Sequence, residues 1–425
     1  MPWFSTQSKK RLIFRFLPVI LTVLTTAIFP GCSPVLLTTT LTPAAVDTAP
    51  AQPTNTRVPS PTPTRHPTIP PVYLDALVWK TEPSVPVILY HRFILDKNPE
   101  SSKTKLRLAE FENHLQTLYD HGYRLVPLEK WLDGDLTIPT GTRPLVLTMD
   151  DAFFADQVFL NDDGTPSEKS GIGILWKFNQ THPDFGFYAA LFANLGDKYY
   201  ANIDYKDVFI YDEHWQESLQ KVIVWCIEHD IMPYDHLYHH PRLDLTDSED
   251  VPYEMSLNDR QLRKYLQAEN HSDLISKVSN IIALPYGAWP PAKGADQLII
   301  DYQDPEGRPV KAVLEANYYH DENNLLYSVY SSRFNRYHIP RITMNTQKAL
   351  NYLVENPNLV PAAETCRLGP VNPAETRDPD KLIGLIKDAQ KNGSCRPGYY
   401  WVNGFYFDAS GSSITQGKVP AIGQP

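Results

Sequence analysis

The sequence predicts an α/β fold built on a largely parallel sheet, open or closed into a barrel. Two observations carry this. Short apolar runs of strand length alternate with segments of helical apolar spacing from about residue 83 onward. Polar clusters rich in Asp and His follow the ends of those runs, where chemistry gathers in such folds.

The elements come in order along the chain. Residues 85–90 form a short apolar run, readable as a buried strand. Phe111, Leu115 and Leu118 recur at helical spacing, and Gly122 comes next as a stop signal. Residues 123–126 read as the next strand. Residues 144–149 form another, ending in Asp150 and Asp151. The polar stretch 161–170 reads as an insertion, a rim loop. A strand over 187–192, a helix over 219–229 and a strand over 281–283 complete the pattern. No repeat of fixed period is visible.

Composition narrows the rest. The chain has 425 residues, 42% of them hydrophobic, which excludes whole-chain disorder. A net charge of −10 argues against a nucleic-acid partner, and no basic run suggests one. Prolines number 38 against 20 glycines, and ten of them lie within residues 33–72 together with ten Thr. Such a stretch favours extended polyproline conformations and buries too little to fold. We therefore expect a disordered Pro/Thr-rich linker over 33–75.

Upstream of it, Lys9, Lys10, Arg11 and Arg15 precede an apolar run from Phe16 to Pro30, then Gly31, Cys32 and Ser33. A basic start, a short apolar run and a small residue are the pattern of secretion. The run is short for a bilayer span. Cys32 after a small residue resembles a bacterial lipobox, with Phe29 and Pro30 as departures. Residues 1–32 are thus expected to be a signal segment, with lipidation at Cys32 anchoring an extracytoplasmic protein to the membrane. An ordinary signal peptide, giving a secreted protein, and an uncleaved anchor are the alternatives.

Cys366 and Cys395 flank a loop-rich stretch and can pair in an oxidising compartment. Cys226 lies inside an apolar run and reads as a core thiol. Within the C-terminal extension, 346–425, residues 351–356 close a helix. Residues 399–407 read as a hairpin or an exposed aromatic strip. Packing of Trp401 against the main domain is the simpler reading, and stacking on a sugar the other.

Three clusters carry chemistry. Asp150 and Asp151 place two carboxylates side by side, so that one needs a cation or a proton; a helix cap or solvated turn is the plain alternative. His236 and His240 are four apart, so one helical or tight turn brings both rings to one side. With a carboxylate they make a ligand set for zinc or another divalent ion, although surface histidines give the same spacing by chance. His239 points elsewhere in this reading. Pro285, Tyr286 and Gly287 build either a turn or a rigid wall for a sugar ring.

Together and in order, these clusters resemble the polysaccharide deacetylases of the NodB-homology type, carbohydrate esterase family four. Residues 85–92 (VPVILYHR) are similar to the opening strand of bacterial members, and residues 111–127 to their F…HL..L...GYR.V segment. Residues 148–152 (TMDDA) are similar to T-F-D-D-G. Residues 236–241 (HLYHHP) are similar to H-T-x-S-H-P, 283–287 (ALPYG) to A-Y-P-Y-G, and 339–342 (IPRI) to the close of the same branch. The likeness covers about 83–345.

The resemblance implies a distorted (β/α) barrel with fewer than eight complete units. It implies that Asp151, His236 and His240 bind a divalent metal, Zn2+ or another ion, and that Asp150 is the general base toward a water. Pro285, Tyr286 and Gly287 would line the substrate site. The implied activity is removal of N-acetyl groups from an envelope or extracellular polysaccharide containing N-acetylglucosamine. Catalytically impaired carbohydrate binding on the same fold is the alternative. A glycosidase centred on Asp150 is a third reading, and a zinc protease lacks its HExxH signature.

Several positions depart from the family pattern. Ala152 stands where glycine is usual, so a left-handed turn there would be strained. Leu237 replaces a small hydroxyl residue. Ala283 stands where many members carry the arginine that orients the base, and Arg341 is the candidate substitute. The segment around Met344 offers no histidine as general acid, leaving His91 and His338 as stand-ins. The 85 residues from Asp151 to His236 are more than expected. Oligomeric state is not legible.

Overall fold

A computed structural model describes residues 70–95, 102, 104–196, 201–202, 210–211, 214–316, 327–344 and 346–422. The expected signal segment with Cys32, and residues 33–69 of the expected linker, lie outside them. Among the described residues no helix is long and apolar enough to cross a membrane.

Order begins earlier than the composition suggested. Strand β1 spans Val72–Trp79, so residues 72–75 belong to a sheet and not to the linker. Its two faces alternate: Ala76 and Val78 face one apolar cluster, Leu77 and Trp79 another. The prolines at 70 and 71 obscured this pattern in the sequence.

The chain then builds a barrel. In order come β2 (Val87–Tyr90), β3 (Arg92–Ile94), β4 (Lys105–Arg107), α1 (Leu108–Asp120), β5 (Tyr123–Leu125), α2 (Leu128–Leu132) and β6 (Arg143–Ala152). They are followed by α3 (Gly171–Thr181), β7 (Ala189–Ala193), β8 (Ala201–Asn202), β9 (Ile210–Tyr211), α4 (Trp215–Glu228) and β10 (Ile231–Asp235). Then come α5 (Asp250–Ala268), β11 (Ile281–Ala283), α6 (Gln297–Ile300), β12 (Ala312–Leu314) and β13 (Ile342–Thr343).

The main sheet runs β12-β11-β10-β7-β6-β2-β13, with β5 also paired to β6. Every one of these pairings is parallel. Strands β2 and β7 are buried at every position, as parallel strands covered on both faces must be. The long β6 is shared: its first half pairs with β5, Leu145 opposite Leu125, and its second half with β2, Met149 opposite Tyr90. A parallel bridge from Leu314 to Ile339 brings the segment before β13 against β12, so the curled strand order returns on itself. The architecture is the expected distorted (β/α) barrel.

Helix α1 shows why the local pattern works. Leu108, Phe111, Leu115 and Leu118 form its buried stripe. Gly122 then turns the chain with φ 82°, a conformation that glycine adopts without Cβ strain. The 161–170 insertion forms a short turn, bridged from Leu160 to Pro166, and ends in Ser170. The Ser170 hydroxyl accepts the Gly173 N–H and caps α3.

The C-terminal stretch is no loose appendage. Helix α7 (Gln347–Glu355) carries Leu350 and Leu353 into the barrel core and ends at Asn356, as expected. Strands β14 (Glu364–Val371), β15 (Gly398–Val402), β16 (Phe405–Ala409) and β17 (Thr415–Gly417) join β1 in an antiparallel sheet, ordered β14-β1-β15-β16-β17. Helix α8 (Pro379–Lys391) covers one face with Leu382, Ile386 and Ala389. The other face packs on the barrel through Trp79, Tyr399 and Trp401, whose indole N–H donates to the Thr137 hydroxyl. The aromatic strip therefore serves packing. Cys366 and Cys395 are disulfide-bonded, with Cα atoms 5.6 Å apart, and Cys226 is a buried thiol.

Candidate active site

Two successive strand residues normally point to opposite faces. Asp150 and Asp151 nevertheless converge. The register of β6 against β7 shifts between Met149 and Ala152, and Asp151 takes φ 57°. A bulge of this kind re-aims a side chain. Both carboxylates consequently approach one imidazole: His236 Nε2 lies 3.8 Å from Asp150 Oδ2 and 3.9 Å from Asp151 Oδ1. The left-handed residue is thus Asp151, not Ala152, and the strain expected at Ala152 does not arise.

His236 directly follows β10. Its N–H donates to Ala193 O at 3.0 Å, and its Nδ1 lies 2.8 Å from Ala283 O. A carbonyl only accepts, so Nδ1 carries the hydrogen and the Nε2 lone pair faces the carboxylates. His240 Nε2 stands 3.3 Å from Asp151 Oδ1. The loop between the histidines is not helical; Leu237 and His240 have φ of 60° and 54°. Leu237, fully buried beside Leu243 and Met255, holds that loop by apolar packing.

One donor atom from each of Asp151, His236 and His240 lies within 4.8 Å of the others. Two imidazole nitrogens and one carboxylate oxygen suit zinc or a similar divalent ion and leave positions for water and substrate. The fixed tautomer of His236 adds to the fit.

Asp150 is held from the other side. Arg341 Nη1 donates to Oδ1 at 2.6 Å and Nη2 to Oδ2 at 2.7 Å. Both side chains are almost fully buried. Arg341 Nε donates to Glu315 O, and Nη1 reaches the Thr148 hydroxyl at 3.3 Å. Burial pushes the Asp150 carboxyl up, but Arg341, His236 and His91 outweigh it and hold the group down at about 2. It is ionised at neutral pH.

His91 directly follows β2, beside this cluster. Its buried Nδ1 has no protein partner among the described residues. Burial lowers its pKa, against the opposing pull of Asp150 and Asp151. His338 instead pairs with Glu315 at 2.8 Å and lies on the Trp289 ring, centroids 4.7 Å apart.

The third cluster is a tight turn, as expected, with an added feature. Pro285 is buried, while Tyr286 is 58% exposed with φ 59°. Its ring lies 4.8 Å from that of His240 and 5.3 Å from the Arg242 guanidinium carbon. Gly287 is obligatory here: φ is 64°, and a Cβ would fall 2.8 Å from Ala316 N.

Other residues escaped the sequence reading. Gln157 is fully buried; its Nε2 donates to His91 O and Asp150 O, each at 2.7 Å, tying β2 to β6. Arg92 pairs with Asp156 at 2.9 Å and covers the Phe154 ring. Glu254 and Asn258 interrupt the apolar stripe of α5. A polar residue at a core-period position was the signal available for that last pair.

No protein-family model matches the sequence, and comparison with curated proteins gives no match. Solved structures do resemble it. One is the Streptococcus pyogenes deacetylase PplD in complex with acetate, 16% identical, TM-score 0.40, covering 65% of this chain and 98% of that one. Another is IcaB from Ammonifex degensii, 14% identical, TM-score 0.41, covering 65% and 98%. A third is a putative polysaccharide deacetylase from Bacillus anthracis, 14% identical, TM-score 0.40, covering 64% and 69%. Polysaccharide deacetylases are thus among its structural neighbours. At these scores the likeness is remote, and the roles of the side chains rest on the distances above.

Proposed function

We propose that this protein is a divalent-metal-dependent hydrolase that removes N-acetyl groups from an envelope or extracellular polysaccharide. One observation carries the reading: the Asp151, His236 and His240 donor set stands beside an ionised Asp150 clamped by a buried arginine. A carboxylate that is ionised and lies outside the donor set is placed to take a proton from water.

Asp151, His236 and His240 hold the ion, which supplies Lewis acidity toward the acetyl carbonyl when bound. Asp150 accepts the proton of the attacking water. The C–N bond breaks, and the proton taken by Asp150 balances the one the leaving amine needs, giving acetic acid and an amino sugar. The acid's proton then passes to the amine, leaving acetate and an ammonium group. Arg341 fixes the plane of the Asp150 carboxylate through two parallel hydrogen bonds. Tyr286, exposed beside His240, offers a face for a sugar ring.

The test is acetate release from chitooligosaccharide, peptidoglycan and acetylated xylan, with Zn2+ and other divalent ions supplied in turn. Asp151→Ala and His240→Ala each abolish metal binding and acetate release. Undiminished release from both metal-free variants overturns the reading. Binding without turnover was motivated by Ala152 and by the missing histidine acid near Met344. The first ground is lost because the left-handed residue is Asp151. The second stands, and saccharide binding with no acetate release under any added divalent ion would favour it.

We also propose that Cys32 is lipidated and that the Pro/Thr-rich tether lifts the barrel from an extracytoplasmic membrane surface. Mass spectrometry of the mature N-terminus checks this; an unmodified Cys32 in the membrane fraction removes it.

A further inference from the structure

Helix α5 buries an apolar stripe that includes Val251, Met255, Leu262 and Leu266. Glu254 and Asn258 sit within that face, one turn apart, with exposures of only 9% and 4%. Polar groups this deep cost stability unless their hydrogen bonds are complete. Theirs go to the ends of β7 and β10 and to the loop between the two histidines.

Asn258 Oδ1 accepts the Leu195 N–H at 2.8 Å. Its Nδ2 donates to Ala193 O at 2.8 Å and to Asp235 Oδ1 at 3.0 Å. Asp235 Oδ1 in turn accepts the Leu237 N–H at 2.6 Å. The ends of β7 and β10 are therefore fixed together just where His236 leaves the sheet. Glu254 binds the loop farther on: Oε2 accepts the His239 N–H at 2.8 Å, and Oε1 lies 2.9 Å from His239 Nδ1. His239 lies outside the donor set and ties the loop just before His240 to α5.

The loop needs such holding. It passes through left-handed φ at Leu237 and His240, neither a glycine, and such residues persist only when their surroundings over-determine them.

We propose that Glu254 and Asn258 are positioning residues that set the spacing and aim of His236 and His240, and with them the affinity for a divalent ion. This rests on the metal reading above. Groups that orient metal ligands typically affect affinity by about 10- to 100-fold when removed.

The experiment measures Zn2+ affinity of the full chain by competition with a chromophoric chelator, alongside thermal unfolding. Glu254→Ala weakens Zn2+ binding at least about 10-fold, while Glu254→Gln, which still accepts from the His239 N–H, stays within a few-fold of the parent. Leu266→Ala, on the same helix but facing the core, lowers the unfolding temperature and leaves affinity unchanged. Asn258→Asp replaces Asn258→Ala should the latter not fold, and also loses affinity because it cannot donate to Ala193 O.

Glu254→Ala and His239→Ala are non-additive if Glu254 acts through His239. Affinity losses in Leu266→Ala equal to those in Glu254→Ala would reduce the effect to general loosening and overturn the proposal. Unchanged affinity in all α5 variants, with a parent that binds Zn2+, rejects the positioning role alone. A parent that binds no divalent ion rejects the metal reading itself.

Discussion

Arg341 and Asp150, 191 residues apart in the chain, meet in a buried two-pronged hydrogen bond at 2.6 and 2.7 Å. The pair joins the last barrel segment to the strand that carries the carboxylate. Neither residue is accessible enough for water to replace the other. Removing one partner leaves a buried charge uncompensated, which costs about 3–5 kcal/mol.

Arg341→Lys therefore keeps the charge but not the fork. We expect acetate release to fall about 100-fold, with Zn2+ binding unchanged, because Arg341 touches none of the three donor residues in the pairs described. Arg341→Met loses stability as well, read by urea unfolding. Full activity in Arg341→Lys would show that orientation of Asp150 is irrelevant.

Gly287 tests the third cluster. Gly287→Ala puts a Cβ against Ala316 N and a side chain at positive φ. The turn must shift, at roughly 1–3 kcal/mol, and Tyr286 moves with it. The expected signature is a raised KM for oligosaccharide with Zn2+ affinity preserved. Equal loss of KM and metal affinity would mean that the turn supports His240 more than it supports substrate.

Much of the barrel and its site is legible in the sequence. Several barrel strands announce themselves because strands buried on both faces, such as β2 and β7, form unbroken apolar runs. Pro144 to Met149 is one such run, though β6 continues to Ala152. Strand β10, interrupted by Pro233 and ending in Asp235, and the three-residue β12 are not read from the sequence. Arg341 is named from motif order alone, and its guanidinium lies on the Asp150 carboxylate. Other features depend on partners distant in sequence. Strand β1 pairs with β14, Ala76 opposite Cys366, and its apolar run 72–79 is masked by the prolines that directly precede it. The convergence of Asp150 and Asp151 depends on a bulge, which a period-two reading sends the wrong way. His236 and His240 meet through left-handed loop residues and not through a helical turn. Glu254 and Asn258 sit at core-period positions of α5, but what they hold is visible only once their partners are known.

The disulfide defines a local prediction. Cys366 and Cys395 close a loop with a sequence separation of 29, and losing it costs about 3–4 kcal/mol by loop entropy. Cys366→Ser with Cys395→Ser should therefore lower the unfolding temperature and admit proteolysis between α8 and β15. Zn2+ binding survives at moderate temperature, since neither cysteine touches the barrel site. Retained protease resistance in the double variant would count against this division of stability.

The last prediction concerns pH. His114 lies on the buried face of α1, with its Nδ1 3.2 Å from the Tyr90 hydroxyl. Burial, only partly opposed by Glu110, lowers its pKa from 6.5 to about 4. Between those values the unfolded chain binds a proton that the folded chain refuses. Stability therefore falls as pH drops from about 6.5 and stops falling, for this group, below about 4. The shift corresponds to at most about 3 kcal/mol. His114→Gln removes the titrating group, so its unfolding free energy varies less than the parent's between pH 7 and 4.5. Urea titrations at those two pH values give the difference directly. Parallel pH profiles for parent and variant would mean that His114 accepts its proton within the fold, through a rearrangement at Tyr90.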